Sequence, residues 1–159
     1  MSSQDLLRLI LGLVLFDYII DRILSFLNYK SSKSEVPVKL KGLYNHEEYK
    51  RSQDYQSALT RFGFISSLFS TTITVIALAL GVFGYLDGAV EQWTPNPMFQ
   101  SLLFFGVLFL ISDIINLPFS YYSTFVIEER FGFNKTTFKT FLFDKLKGYA
   151  LAIIMGGLV

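Results

Sequence analysis

Apolar stretches separated by charged segments dominate the chain, and two of them are long enough to predict membrane-crossing helices. Residues 62–86 contain no charged side chain, and residues 98–127 contain only Asp113. A helix rises about 1.5 Å per residue, so 25 residues reach roughly 38 Å, against a hydrocarbon core of about 30 Å. Pro118 lacks an amide donor and disfavours helix before it, which predicts a kink or an end there. We therefore predict spans at 62–86 and 99–121.

Two further apolar stretches are weaker. Residues 6–27 would form the first span, although Asp17, Asp21 and Arg22 follow its most apolar part. A signal peptide requires a small-residue cleavage site after its apolar run, and none is found here, so a retained span is the better interpretation. Residues 148–159 cover only about 18 Å at helical rise. We therefore expect this chain to be a fragment that stops inside a fourth span.

The connecting segments also predict helices. Asn45 with Glu48 three residues later forms a capping-box pattern, which would start a helix that runs into the second span. Thr136 or Thr137 is expected to cap another helix. Its apolar face holds Phe138, Phe141, Leu142 and Leu146, opposite Lys139, Asp144 and Lys147. This helix either lies at the membrane interface or packs on the rest of the protein.

The predicted fold class is thus an all-α, polytopic membrane helical bundle. It contains three full transmembrane helices, the start of a fourth, and cytoplasmic interfacial helices.

The distribution of basic residues predicts the orientation of these spans. Residues 28–61 hold seven Lys or Arg side chains and residues 128–147 hold five, whereas residues 87–97 hold none. The positive-inside rule places the two basic segments in the cytoplasm. The amino terminus and the segment around Trp93 then lie outside.

Composition excludes several classes of function. The chain is 52% hydrophobic, has a net charge of +1, and contains no Cys and one His. A nucleic-acid partner is therefore not expected, and neither is a disulfide framework or a Cys-based metal site. The nearest approach to a His-Glu-x-x-His zinc motif is at His46, but Lys50 stands where the second imidazole is needed.

Charged and polar groups inside the apolar stretches are the first candidates for a site. They are Asp17, Asp21 and Arg22 in the first stretch, and Asp113 with Asn116 in the third. A charge at the centre of a bilayer costs at least about 2.5 to 3.5 kcal/mol, so such groups face protein or a water-filled cavity. They either pair with each other to hold helices together or line a polar chamber, and both roles are compatible.

The most distinctive string begins at Leu117-Pro118 and continues from Tyr121 to Asn134, ending in Glu128, Glu129, Arg130, Phe131, Gly132, Phe133 and Asn134. It is an aromatic-rich helix end, and Gly132 is free to adopt a positive φ angle. The string closely resembles the amino-terminal membrane region of type I CAAX prenyl proteases, matching at Pro118, at residues 124–129 and at residues 132–134. A second, less specific match lies at residues 36–64, around Val36-Pro37, Glu48 to Ser52, Tyr55 and Phe62-Gly63-Phe64.

The resemblance implies a seven-helix integral-membrane zinc metallopeptidase with a large water-filled chamber. Such an enzyme trims residues after a prenylated Cys, and its zinc motif and catalytic Glu lie carboxy-terminal to the residues present here. On this basis the chain alone should hold no cofactor and no catalytic residue. For the parent protein the resemblance implies zinc, membrane lipid, the missing catalytic half and a protein or peptide substrate, either prenylated or not. The residues expected to line the chamber are then Asp17, Asp21, Arg22, Asp113 and Asn116. Residues 128–134 are expected to form its cytoplasmic rim beside the catalytic domain.

Two other functions fit the residues. A small four-helix transporter would use Asp17 or Asp21 as its proton carrier, and a membrane scaffold would have no catalytic role. The membrane would be the bacterial cytoplasmic membrane, or that of the endoplasmic reticulum in a eukaryote.

Overall fold

The computed structural model describes residues 2–32 and 46–157, and the regular structure within these ranges is entirely helical, which confirms the all-α class. Its helices are α1 (Ser3–Ser32), α2 (His46–Ala79), α3 (Val82–Trp93), α4 (Pro97–Tyr122) and α5 (Phe138–Gly157). A π-helical segment, Ser123–Glu128, continues α4 without a break.

Two of these helices are long and apolar enough to cross a membrane. They are the stretches Glu47–Ala79 in α2 and Pro97–Glu128 in α4 with its π-helical continuation. At 1.5 Å per residue, 33 and 32 residues reach about 48 to 50 Å, so each exceeds a hydrocarbon core by roughly 20 Å. The predicted helix that runs into the second apolar stretch is present as the amino-terminal part of α2. Asn45, the proposed capping residue, lies outside the described residues.

The second apolar stretch is not one helix, contrary to the span predicted at 62–86. Helix α2 ends at Ala79, and α3 begins at Val82 after a turn in which Gly81 has φ 69° and ψ 24°. This left-handed conformation is accessible to glycine at little steric cost, and it interrupts the helix between Ala79 and Val82. The predicted loop at 87–97 is consequently helical as far as Trp93. Val90 in α3 is 1% exposed and is the most buried residue among those described.

Pro118 does not end α4, although the sequence predicted a kink or an end there. The helix continues past it to Tyr122 and then widens into the π-helical segment, in which Ile127 is buried. A π-helical turn shifts all later residues by about one position, or 100° around the axis, relative to a regular α-helix. The side chains after Ser123 therefore face directions that α-helical periodicity does not predict.

The last two predicted elements form one helix. Residues 138–147, predicted as a separate helix, and the apolar run from Gly148 both belong to α5. The Thr137 hydroxyl accepts a hydrogen bond of 3.2 Å from the Thr140 amide, which places the helix cap at one of the two predicted threonines.

Neighbouring helices run antiparallel, as specific contacts show. Arg61 on α2 donates to the Tyr29 hydroxyl on α1 at 3.3 Å. The Phe62 ring at the start of the apolar part of α2 stacks on Tyr122 near the end of α4, at 4.9 Å between ring centroids. The end of α1, the start of α2 and residues 129–137 therefore lie at one end of the molecule, which we call the loop end. Trp93 lies at the opposite end.

Candidate functional site

Asp113 is the centre of a polar cluster between α4 and α5. One carboxylate oxygen accepts a hydrogen bond from the Lys145 ammonium, and the other accepts one of 2.5 Å from the Tyr149 hydroxyl. Lys145 and Tyr149 are four residues apart, so they project from the same face of α5. The Asp113 side chain is 19% exposed and that of Lys145 is 23% exposed. The charge of Asp113 is thus compensated by a partner 32 residues later in the chain.

This cluster forms part of an open cleft between α4, the π-helical segment and the start of α5. The cleft has a volume of about 420 Å³. Its lining consists of Phe109, Asp113, Thr124, Glu128, Thr136, Phe141, Asp144, Lys145, Gly148 and Tyr149. Of the residues predicted to form a site, the structure therefore brings Asp113 and Glu128 together.

Asn116 lies on a different interface, between α4 and α2. Its side-chain carbonyl accepts a hydrogen bond of 3.0 Å from the Ser70 hydroxyl, and its amide donates to the Ser112 carbonyl at 2.8 Å. Both ends of the amide are therefore satisfied, as an amide between two membrane helices requires. Asn116 does not belong to the residues that line the cleft.

The charged residues of α1 are also separate from the cleft. Arg22 reaches α2, where its guanidinium lies 3.5 Å from the Gly63 carbonyl oxygen and 5.0 Å from the centre of the Phe64 ring. Its Nε is buried and has no hydrogen-bond partner within the described ranges. Asp21 lies 3.6 Å from the same guanidinium but is 69% exposed, and Asp17 is exposed. Arg22 therefore connects α1 with α2, whereas Asp17 and Asp21 are exposed.

The distinctive string ends in a tight helix-terminating turn. The Phe133 amide donates to the Glu128 carbonyl at 2.9 Å, and the Gly132 amide donates to the Glu129 carbonyl at 3.0 Å. These two bonds define a Schellman motif, which needs a left-handed residue just after the helix. Gly132 has φ 70°, as the sequence predicted. The side-chain amide of Asn134 then donates a hydrogen bond of 2.9 Å to the Glu129 carboxylate, which closes the turn.

This turn packs on the start of α2. The Arg51 guanidinium lies 5.1 Å from the centre of the Phe133 ring, and the Tyr55 ring contacts Phe133 and Phe131 at 4.7 and 5.7 Å between centroids. A Cβ atom on Gly132 would lie 2.9 Å from an Arg51 nitrogen. The two segments that carry the family resemblance, in the first and third loop regions, are therefore in contact. Arg130 and Glu129 remain exposed.

Sequence reasoning did not identify Lys145 or Tyr149. It placed Arg51 and Tyr55 in the second matching segment but did not predict their contact with the Gly132 turn. A signal for Lys145 was present, because an acid inside an apolar helix needs a cation at similar depth. The sequence alone does not show which of the five basic residues at 128–147 pairs with Asp113. Arg51 and Tyr55 could be assigned only by their contact with a turn about 80 residues away.

Residues 2–32 and 46–157 do not fit a zinc centre. In the parts of the chain that the structure describes, no three His, Cys, Asp or Glu side chains form a group that could hold a metal ion. A catalytic zinc site takes about three protein ligands, most often including His.

Comparisons with known proteins agree on one family. A family model described as CAAX prenyl protease N-terminal, five membrane helices, matches residues 25–159. A CAAX prenyl protease 1 homolog from Oryza sativa is 32% identical over 158 residues, covering 94% of this chain and 37% of the relative. A homolog from Caenorhabditis elegans is 34% identical over 139 residues, covering 84% and 30% respectively.

The comparison with solved structures leads to the same family. The crystal structure of S. mikatae Ste24p superposes with a TM-score of 0.82 at 28% identity, covering 99% of this chain and 38% of that one. The chain thus spans about a third of the length of the curated relatives it matches.

Proposed function

The chain belongs to the CAAX prenyl protease family and corresponds to its N-terminal membrane portion, and we propose that it forms one wall of a membrane chamber. In this chamber the whole protein cleaves prenylated or other membrane-associated proteins. One observation carries the proposal. Asp113, the one charged residue within 98–127, meets Lys145 and Tyr149 of α5 at an open cleft that Glu128 also lines. Polar groups inside membrane helices typically face a protein interior or a water-filled cavity.

The remaining polar residues are assigned to the same chamber. Asp17 and Asp21 are exposed on α1, so they are available to face water if α1 borders the chamber. Arg22 and Asn116 have helix-joining contacts, which are compatible with a place at the chamber margin. The segment Glu128–Asn134 forms the cytoplasmic rim.

The proposed orientation places the loop end in the cytoplasm and the amino terminus outside. The two basic segments, 28–61 and 128–147, both connect to helix ends at the loop end, whereas Trp93 lies opposite. This arrangement supports the positive-inside assignment. The membrane is that of the endoplasmic reticulum in a eukaryote, or the cytoplasmic membrane in a bacterium.

We assign the chemistry of peptide cleavage to the rest of the protein. As the family resemblance implies, zinc and its ligands are assigned to residues outside this chain. The contribution of this chain is to hold the substrate path open and to exclude lipid from it. No observation favours a proton-coupled transporter, and none favours a non-catalytic scaffold.

The orientation can be tested with this chain as it stands, because it contains no Cys. Single Cys residues at Trp93 and at Lys135 in sealed vesicles are labelled with a membrane-impermeant maleimide. Only Trp93→Cys should react from the outer face, and Lys135→Cys should react only after permeabilisation. Equal labelling of both positions in sealed vesicles would disprove the proposed topology.

The activity requires the full-length protein. We expect it to release the carboxy-terminal residues of a farnesylated CAAX peptide, detected by mass spectrometry. Asp113→Leu and Arg130→Ala should each lower turnover by roughly tenfold or more, because small displacements in a reaction chamber are costly. Asp87→Leu, at an exposed position on α3, is the matched control. Unchanged turnover in both test variants, with unchanged folding, would contradict the chamber assignment.

A further inference from the structure

The cleft between α4 and α5 is held open by side chains rather than filled by close helix packing. Helix α5 reaches α4 through Lys145 and Tyr149, and the Phe109 and Tyr149 rings are 6.1 Å apart. Nearer the loop end, the Phe125 and Phe141 rings are 5.6 Å apart. Aromatic contacts thus border the cleft along α5.

The charges of the cleft do not balance. Asp113 is paired with Lys145, and Asp144 lies 3.5 Å from the exposed Lys147. Glu128 also lines the cleft and is partly buried, yet no ion pair or side-chain hydrogen bond reaches its carboxylate from the ranges 2–32 and 46–157. The Glu128 carboxylate can still accept hydrogen bonds, and a bond that involves a charged group stabilises by roughly twice as much as a neutral one. The cleft is therefore complementary to a cation.

We propose that this cleft is a docking site for a basic side chain carried by the part of the protein outside this chain, with Glu128 as its partner. The inference rests on the proposed function, since it takes the chain as one portion of a longer protease. Two observations favour this occupant over a free ligand. The curated relatives are about three times as long as the matched region, so most of the polypeptide that could cover the cleft lies elsewhere in the protein. Helix α5 also leaves large apolar side chains uncovered beyond the cleft, among them Ile153 at 74% exposure.

The docked segment should therefore combine a Lys or Arg residue, directed at Glu128, with apolar residues that cover α5. Its contact joins the wall of the chamber to the remaining two-thirds of the protein. Because Glu128 is the last residue of the π-helical segment, the one-residue shift in register contributes to aligning its carboxylate with the cleft.

Photocrosslinking in the full-length protein tests the docking. Benzoylphenylalanine replaces Phe141, which lines the cleft, and in a control protein it replaces Phe143, which is 51% exposed and does not line it. After illumination and digestion, mass spectrometry identifies the linked peptides. The Phe141 probe should link to a Lys- or Arg-containing peptide from outside residues 1–159, and the Phe143 probe should not link to that peptide.

A matched pair of acids tests the role of the charge. Glu128→Gln should lower the yield of the Phe141 crosslink by at least about threefold, since one hydrogen bond to a charged group changes an equilibrium by roughly tenfold or more. Glu129→Gln, which alters an exposed acid bonded to Asn134, should leave the yield unchanged. The proposal is wrong if both variants behave alike, or if the probe links only to lipid, to added peptide substrate or to residues 33–45 of this chain. Neither measurement uses peptidase activity, so the docking site and the proposed function can fail independently.

Discussion

Among the glycines that the structure describes, Gly132 should be the least replaceable, for two separable reasons. Its φ angle of 70° is left-handed, which costs an alanine about 1 to 2 kcal/mol. A new Cβ would also lie 2.9 Å from an Arg51 nitrogen, so the guanidinium would have to leave its position above the Phe133 ring. Losing an exposed cation–π contact costs about 0.5 to 1 kcal/mol.

The net effect of Gly132→Ala follows from these two costs and one gain. Alanine lowers the conformational entropy of the unfolded chain, and this gain offsets about 0.4 to 1 kcal/mol of the two costs. We therefore expect the free energy of unfolding to fall by about 1 to 2 kcal/mol. For a domain of this size that corresponds to a decrease in melting temperature of roughly 2 to 8 °C. The melting temperature is measured from the loss of the helical circular dichroism signal on heating in detergent micelles.

Two other glycines separate the backbone cost from the contact with Arg51. Gly81 has φ 69° but open space around its Cβ position, so Gly81→Ala should show only the backbone cost. Gly84 lies within α3, also with open space, and Gly84→Ala should be neutral or stabilising because alanine favours helix by up to about 1 kcal/mol. In an Arg51→Ala background, Gly132→Ala should become no worse than Gly81→Ala. The reasoning is refuted if Gly132→Ala melts at or above the parent temperature while Gly81→Ala melts below it.

Three further predictions concern the helix contacts. Asp113→Asn should lower the melting temperature more than Asp113→Leu combined with Lys145→Met. The single change leaves the Lys145 ammonium without a carboxylate partner, whereas the double change removes both charges. Equal melting temperatures would contradict the pairing. Tyr149→Phe should cost about 1 kcal/mol through the hydrogen bond it removes, and an unchanged free energy of unfolding would show that the bond contributes nothing. A double-mutant cycle of Ser70→Ala and Asn116→Ala should give a coupling of about 0.6 kcal/mol, and strict additivity would argue against their contact.

Local chemistry made some features predictable from the chain alone. Long uncharged stretches require helices in a bilayer, since every backbone polar group must be satisfied internally. This reasoning led to the all-α class, and the glycine in the distinctive string indicated a left-handed turn. The same string carried the resemblance that the family match confirms.

Other features depended on contacts between distant residues. Hydropathy could not show that Gly81 breaks a stretch in which Gly84 stays helical, because both have uncharged neighbours. It could not choose Lys145 among several nearby lysines as the partner of Asp113, since that choice depends on how α5 lies against α4. It also gave no sign of the π-helical turn before Glu128. Periodicity describes one helix at a time, whereas the cleft exists only because side chains from three segments meet in space.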